Sequence, residues 1–293
     1  MTHDIKNKIM PLGAGQLDVL VSGREDGKPL VLLHGIPASA ELFRDVIPYF
    51  TTLGYRVYAP FMPGYGQTRF PTAVDYRLAT VADLYAIWLE QLNLGPVWLV
   101  GHDLGGAVAQ VMAVRYPHLI SHLTMGDTVV GDSFPVLPIL LMQGIAEWGL
   151  YDLLVRLNLI PNPLVNRALR DGFAQESKLT PEMLARVFWD SKVHDPDGRR
   201  EWVRHVRDLR NDENVAILPD LCDVNIPTLL IWAAGDVYQP WYQVGKYLES
   251  LLTRSARTSF VLVQNAGHFL PLEAPQEYAV TLLNWRKRLL PRR

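Results

Sequence analysis

Three ionisable side chains lie along this 293-residue chain in positions that suit covalent catalysis. Asp103 lies between an apolar run and a helical run, whereas Asp236 and His268 each follow a later apolar run. A carboxylate is already ionised near neutral pH, so it can attack a carbon without a base to remove a proton. Attack on an sp3 carbon leaves an ester, which water activated by a histidine then hydrolyses. These residues therefore predict a nucleophile, an orienting acid and a base, in that chain order.

The residues around Asp103 indicate how it would be presented. Gly101, Gly105 and Gly106 flank it in the run Gly-His-Asp-Leu-Gly-Gly. A tight strand-turn-helix connection with one side chain at its apex needs small neighbours, because a Cβ there would collide with the backbone. The turn also places the carboxylate at a helix N-terminus, which favours its charged form. An aspartate in this position is also a common helix N-cap, and the later acid and histidine are what favour catalysis.

Composition excludes several classes of function. The formal net charge is −2 and charged residues are scattered, so we expect no nucleic-acid or membrane partner. The single Cys222 excludes an intrachain disulfide framework and a cysteine-rich metal site. Since no metal-ligand spacing or dinucleotide fingerprint occurs, we expect no metal and no cofactor. The polar N-terminus and the lack of a long apolar run predict a cytoplasmic protein without a signal peptide or anchor.

The apolar runs predict the elements that position these residues. Two alternating runs, 5–12 and 16–22, are typical of an antiparallel hairpin, and a helix is expected over 40–53. Strands alternating with helices on short loops then predict an α/β fold with a mostly parallel, doubly wound sheet. Its carboxyl ends should carry the site. The expected later strands cover residues 29–33, 55–61, 96–100, 119–126, 228–233 and 258–263.

The alternation stops between residues 132 and 219. Helical runs such as 137–157 occur there, separated by prolines and polar turns, with no convincing strand. We interpret residues 132–219 as a helical cap inserted into one α/β core, whose two parts are residues 1–131 and 220–293.

Together these features resemble the α/β-hydrolase superfamily over nearly the whole chain. The motifs are His-Gly-Ile-Pro at 34–37, Gly-His-Asp-Leu-Gly-Gly at 101–106, the strand-end Asp236 and the pair Gly267-His268. With an aspartate at the apex of the turn, the chain resembles the branch of this superfamily that includes epoxide hydrolases and dehalogenases. The resemblance implies an α/β-hydrolase fold with a catalytic triad of Asp103, His268 and Asp236.

The resemblance also implies an oxyanion hole and an alternative acid. In this family the loop after the third strand and the residue after the nucleophile each supply a backbone N–H, here those of Ile36 and Leu104. Some relatives place the acid after the strand before the cap, where this chain has Asp127, although we favour Asp236. His34 and His102 are interpreted as scaffold residues, with His34 also a candidate substrate contact.

The motifs favour an epoxide over a halide or a carboxylated substrate. Haloalkane dehalogenases resemble this chain but usually carry Asn in place of Ile36 and Trp in place of Leu104, so both halide donors are absent. Fluoroacetate dehalogenases carry arginines shortly after the nucleophile, where this chain has Leu104 and Ala107. Epoxide hydrolases typically use two cap tyrosines to protonate the departing oxygen, and the predicted cap contains only Tyr151.

Other residues of the predicted cap are candidates for the substrate pocket. His194 or His205 could assist Tyr151 as a proton donor. Trp148, Trp189 and Trp202 could line an apolar pocket, or could simply pack within the cap.

Four functions remain open at this point. The first is an epoxide hydrolase that acts through an Asp103 ester, and the second is a dehalogenase of a small haloalkane or haloacid. The third is an ester, lactone or carbon–carbon bond hydrolase in which Asp103 is a base or a remnant, and the fourth is a non-catalytic ligand-binding protein. The expected partners are a small apolar organic substrate and water, and the sequence is compatible with a homodimer.

Overall fold

An eight-stranded sheet runs through the part of the chain that this computed structural model describes, which is residues 4–157, 159–160, 163–175, 178–189, 195–252 and 258–289. Its strand order is β1-β2-β4-β3-β5-β6-β7-β8. The pairs β1–β2 and β2–β4 are antiparallel and the other pairs are parallel. The strands are β1 (Lys6–Leu12), β2 (Gly15–Ser22), β3 (Lys28–Leu33), β4 (Tyr55–Pro60), β5 (Val97–His102), β6 (Ile120–Gly126), β7 (Thr228–Ala233) and β8 (Thr258–Val263).

Helices follow the parallel strands and fill the connection between β6 and β7. Short 3₁₀ or π-helical turns cover Ala40–Phe43, Pro117–Leu119, Leu184–Trp189 and Trp241–Gly245. The α-helices are α1 (Ile47–Thr51), α2 (Leu78–Leu92), α3 (Leu104–Arg115), α4 (Leu137–Glu147), α5 (Tyr151–Arg156), α6 (Pro163–Asp171), α7 (Pro181–Met183), α8 (Pro196–Asp208), α9 (Asp212–Ala216), α10 (Leu218–Leu221), α11 (Lys246–Leu251), α12 (Leu270–Glu273) and α13 (Pro275–Arg288).

The central strands explain why the site forms at one edge of the sheet. Every residue of β5 and β7 is buried, as expected for apolar strands covered on both faces by helices. The register pairs Leu33 with Gly101 and His102 with Gly126, so the ends of β3, β5 and β6 are level. The loops that follow these strands are therefore neighbours, and the predicted mostly parallel α/β sheet is confirmed.

Two predicted helices are shorter than their sequence patterns indicated. The 40–53 run forms a 3₁₀ turn and then α1, which starts next to Pro48, a residue without an N–H to donate. The 137–157 run breaks into α4 and α5 at Gly149, which takes a φ of +68°. Glycine adopts this left-handed conformation readily, so it ends α4 and lets the chain turn back.

The segment between β6 and β7, residues 127–227, contains the helices α4 to α10 and no strand among its described residues, and we call it the helical segment. The α4 helix packs on α8, and the Gln143 side-chain amide donates to the carbonyls of Val206 and Leu209 at 3.2 and 2.8 Å. None of the helices in the described ranges is both long and apolar enough to cross a membrane.

Candidate active site

Asp103 occupies the turn between β5 and α3, with an unusual φ of +52°. The turn is tight enough that its glycines leave no room for a side chain. A Cβ on Gly101 would lie 2.4 Å from the carbonyl oxygen of Gly105, and one on Gly105 would lie 2.2 Å from that of Leu33. The glycine pattern therefore produces the strand-turn-helix that the sequence predicted.

The Asp103 carboxylate lies among backbone donors. Its Oδ2 accepts a hydrogen bond from the N–H of Ile36 at 2.8 Å, and the N–H of Leu104 also donates to the carboxylate. A Cβ on Gly35 would approach Oδ2 to 2.3 Å, so the loop after β3 can come this close only with glycine there. The two predicted oxyanion donors thus converge on the predicted nucleophile.

Burial and hydrogen bonding have opposite effects on the pKa of the Asp103 carboxylate. Burial raises the pKa of Asp103 to about 6, against the opposing effects of His268 and of the two backbone N–H groups. The carboxylate is therefore mostly ionised at neutral pH, but its surroundings only partly compensate its negative charge. This is expected of a carboxylate that acts as a nucleophile.

His268 and Asp236 form the pair that the sequence predicted. The two side chains are buried, and Nδ1 of His268 lies 3.0 Å from Oδ2 of Asp236. The other carboxylate oxygen accepts the N–H groups of Tyr238 and Gln239 at 2.8 and 3.0 Å. Burial lowers the pKa of His268, but the charges of Asp236 and Asp103 outweigh it, so the pKa lies above its ordinary value. This arrangement suits an orienting acid and a base.

Asp127, the alternative acid, lies beside Asp236 but does not contact His268. Its Oδ1 accepts the N–H of Ala233 at 2.8 Å, and its Oδ2 lies 4.0 Å from Nδ1 of His102. Burial and then the charge of Asp236 raise the pKa of Asp127 well above its ordinary value. Asp127 therefore favours its protonated form more than an ordinary aspartate does, and Asp236 is the carboxylate that contacts the histidine.

A small apolar cavity of about 90 Å³ lies between the side chains of Asp103 and His268 and the helical segment. Its wall is formed mostly by carbon, with a few polar groups, as is typical of sites for small organic ligands. Its lining comprises Ile36, Pro37, Asp103, Phe134, Val136, Pro138, Ile139, Met142, Leu169, Trp189, Trp202, Tyr238, Gln239, His268 and Phe269.

Comparison with known proteins matches this architecture. A family model described as alpha/beta hydrolase fold matches residues 28–275. The chain belongs to the α/β-hydrolase fold family. A haloalkane dehalogenase of Psychrobacter cryohalolentis is 32% identical over 91% of this chain and 86% of its own length. A soluble epoxide hydrolase of a Corynebacterium species is 29% identical over 88% of this chain and 90% of its own length. The prediction of an enzyme of the hydrolase type is thereby confirmed.

Solved structures of α/β-hydrolases share the fold. The epoxide hydrolase CorEH superimposes with a TM-score of 0.78 at 24% identity, over 98% of this chain and all of its own. A 2-hydroxy-6-oxo-6-phenylhexa-2,4-dienoate hydrolase of Rhodococcus superimposes with a TM-score of 0.76 at 20% identity, over 98% of this chain and all of its own. These similarities cover both the core and the helical segment.

The predicted pocket residues of the hydrolase fall into two groups. Trp189 and Trp202 line the cavity, and the indole N–H of Trp189 donates to Oδ1 of Asn166 at 3.1 Å. Trp148, in contrast, is 78% exposed and lies outside the cavity lining, because it follows the last residue of α4 on the outer side. The prediction that Trp148 contacts substrate does not fit this position.

The predicted proton donors also lie apart from the cavity lining. Tyr151 is buried, but it lines a separate depression together with Arg199. Its link to the site runs through Tyr65, whose pKa is raised first by burial and then by Asp103 and Tyr151. His205 stacks on Trp202 with ring centroids 5.9 Å apart. His194 lies outside the described residues.

His34 is a structural residue and does not line the cavity. Its Nε2 accepts the N–H of Met62 at 2.9 Å, so its Nδ1 carries the proton and donates to the carbonyl of Gly35 at 2.9 Å. These two bonds join the loops after β3 and β4. His102 is buried without a hydrogen-bond partner for either ring nitrogen among the described residues, so the predicted scaffold hydrogen bond is not formed there.

Sequence reasoning missed two residues that the fold brings to the site. Tyr238 lines the cavity, with its ring centroid 5.2 Å from that of His268. Its only sequence signal was its place two residues after Asp236. The buried Glu273 accepts the N–H of Gly267 at 2.7 Å and those of Ala174 and Gln175 at 3.2 and 2.7 Å. It therefore joins the histidine loop to the turn after α6.

We expect Glu273→Gln to reduce kcat about tenfold, because an amide nitrogen would face N–H donors where a carboxylate oxygen now accepts. One of the three donors is the N–H of Gly267, next to His268, so hydrolysis of an ester intermediate should slow more than its formation. Rapid-quench kinetics would separate the two steps. Glu277→Gln, on the exposed start of α13, is the control. A change in KM alone would assign Glu273 to the cavity wall instead.

Proposed function

We propose that this α/β-hydrolase opens epoxides of small apolar molecules to diols through an ester of Asp103. The single observation that carries the proposal is that Asp103, His268 and Tyr238 line one apolar cavity. Burial raises the pKa of Tyr238 to about 12, so the phenol stays protonated at neutral pH and can give its proton to a departing alkoxide.

In the first half-reaction, a carboxylate oxygen of Asp103 attacks an epoxide carbon and the ring C–O bond breaks. The released alkoxide takes the proton of Tyr238, which leaves a hydroxy-ester and a phenolate. The apolar wall excludes water, which strengthens the attack by a carboxylate whose pKa is already raised.

In the second half-reaction, His268 takes a proton from water and the hydroxide attacks the ester carbonyl. The oxyanion accepts the N–H groups of Ile36 and Leu104, as the carboxylate does in the free enzyme. When the acyl C–O bond breaks, the diol oxygen takes the proton from His268. The new Asp103 carboxylic acid returns its proton to the Tyr238 phenolate, so one water is added overall.

Isotope labelling tests the covalent step. A single turnover of styrene oxide with excess enzyme in 18O water should place 18O in the peptide that contains Asp103, because water attacks the ester carbonyl. Mass spectrometry of the digested protein reads out the label, and the same enzyme without substrate is the control. Efficient diol formation with an unlabelled Asp103 peptide would show that the carboxylate is not the nucleophile.

A pair of tyrosine variants identifies the proton donor. We expect Tyr238→Phe to reduce kcat/KM for styrene oxide about tenfold or more, since the alkoxide would leave unprotonated. Tyr151→Phe should cause a smaller loss, because that side chain lies outside the cavity lining. Steady-state rates of both variants, measured with the wild type, decide between them. A larger loss in Tyr151→Phe would indicate that the proton donor is Tyr151, in the helical segment.

The raised pKa of Asp103 predicts an acid limb in the pH profile. Only the ionised carboxylate attacks, so kcat/KM should fall about tenfold per pH unit below the pKa of about 6 and stay level just above it. Stopped-flow measurement of ester formation across this range checks the position of the limb. A limb near pH 4, the ordinary range of an aspartate, would contradict the effect of burial.

A dehalogenase is the second candidate, favoured by the 32% identical relative named haloalkane dehalogenase. The same attack on a carbon that bears bromide would release the halide and leave the same ester. Trp189 lines the cavity, but its indole N–H donates to Asn166, which does not favour its use as a halide donor. Bromide release from bromobutane, compared with diol formation from styrene oxide, measures the preference.

A further inference from the structure

Exposed apolar side chains are concentrated in the first part of the helical segment, in and around α4 and α5. Of the sixteen large apolar side chains that are exposed in the described residues, eight lie between positions 137 and 159. We define the outer patch as six of these, with exposures between 43% and 78%. They are Leu137, Leu140, Leu141, Trp148, Leu150 and Leu153.

Half of the outer patch lies on α4, a helix that is apolar on two sides. One side of α4 contributes Pro138, Ile139 and Met142 to the wall of the catalytic cavity. The other side presents leucines to solvent, and Glu147 is its only charged residue. A helix that is apolar all round is normally covered all round, whereas no described residue covers the exposed leucines on the outer side of α4.

The size of the outer patch matches that of a protein interface. With these exposures, its six residues present on the order of 700 Å² to solvent, whereas the largest apolar patch of a typical monomer covers roughly 300–600 Å². A stable dimer of standard size buries roughly 800 Å² on each partner. The rim of the outer patch would supply the remainder.

The charges around the patch favour a protein partner over an anionic membrane. Between residues 133 and 157 the charged residues are Glu147, Asp152 and Arg156, which give no basic cluster. Asp152 pairs with Arg156 at 2.7 Å and with Arg199 at 2.8 Å, so these cations are already neutralised. An uncharged patch is also self-complementary, because a two-fold axis through it brings no like charges together.

We propose that the outer patch is the interface of a homodimer, in which the α4–α5 hairpin packs against the same hairpin of a second copy. Two helical hairpins related by a two-fold axis bury their leucine faces as the helices of a four-helix bundle do. Because α4 also forms part of the cavity wall, dimerisation would hold that wall in place. The proposal does not depend on which substrate the enzyme takes.

Sedimentation equilibrium tests the interface. The wild type should have twice the mass of the chain at micromolar concentration. Leu141→Glu should weaken association by about a hundredfold or more, since two copies would bury like charges at the centre. Leu53→Glu is the matched control, because Leu53 is an exposed leucine outside the patch, and it should remain a dimer. Circular dichroism checks that both variants fold.

Three results would overturn the proposal. The first is a wild type that stays monomeric at millimolar concentration, and the second is a Leu141→Glu variant that remains a dimer. The third is a monomer that floats with vesicles of neutral phosphatidylcholine, which would make a bilayer the occupant. If Leu141→Glu does not fold, hydrogen exchange of the wild type decides, because amide protection within 137–157 should rise with protein concentration.

Discussion

His268→Gln is expected to form the Asp103 ester at a near-normal rate and then to stall, with kcat reduced about a thousandfold. Only the second half-reaction needs a base, because the carboxylate attacks without one. Glutamine keeps a polar side chain of similar length in the buried site, but it cannot take a proton from water. The variant therefore separates the two half-reactions.

The charge pattern strengthens this expectation. In the free enzyme, the charges of Asp236 and Asp103 overcome the effect of burial and raise the pKa of His268. The ester removes the Asp103 charge, so the pKa of His268 should fall when a neutral base is needed. Formation of the ester therefore favours the neutral form of His268 in the half-reaction that needs a base.

Mass spectrometry of intact His268→Gln, mixed with styrene oxide, should show the protein plus one substrate mass. The exposed His118 provides the control, since His118→Gln should turn over as the wild type does. Free turnover by His268→Gln, or the absence of any adduct while substrate is consumed, would contradict the role proposed for His268.

The core of the site was predictable from sequence because simple steric rules produce it. The glycines around Asp103 leave one conformation for the turn, and parallel strands bring their carboxyl ends to one edge. Asp236 and His268 each follow such a strand, so their meeting at 3.0 Å follows from topology.

The wall of the cavity was harder to predict, because it depends on which side of each helix faces inward. α4 is apolar on two sides, so its pattern does not distinguish the cavity side from the outer patch, and Trp148, a candidate pocket residue by sequence, is exposed outside the cavity lining. Tyr238 faces the cavity in a loop whose backbone N–H groups bond to Asp236. Glu273 contacts a turn nearly one hundred residues away in sequence, which no local pattern encodes.

Asp103→Asn is expected to abolish turnover and to stabilise the fold at neutral pH. An amide does not attack an epoxide, so the rate should fall by at least about ten-thousandfold. The side-chain oxygen of asparagine can still accept the N–H of Ile36. What the substitution removes is a buried negative charge that its surroundings compensate only in part.

The sign of the stability change follows from the pKa. Burial raises the pKa of Asp103 from an ordinary value of 3.8 to about 6, so the folded state holds the proton more tightly than the unfolded chain does. The wild type therefore loses stability as pH rises from about 4 to 6, by roughly 3 kcal/mol, and asparagine does not. Urea unfolding should show that Asp103→Asn has a higher free energy of unfolding than the wild type at pH 8 but not at pH 4. Asp26→Asn, at an exposed site, should show no such gain. Equal stability of wild type and Asp103→Asn at pH 8 would mean that the surroundings fully compensate the charge of Asp103. The pKa of Asp103 would then be lower, and the acid limb of kcat/KM expected near pH 6 would lie at a lower pH.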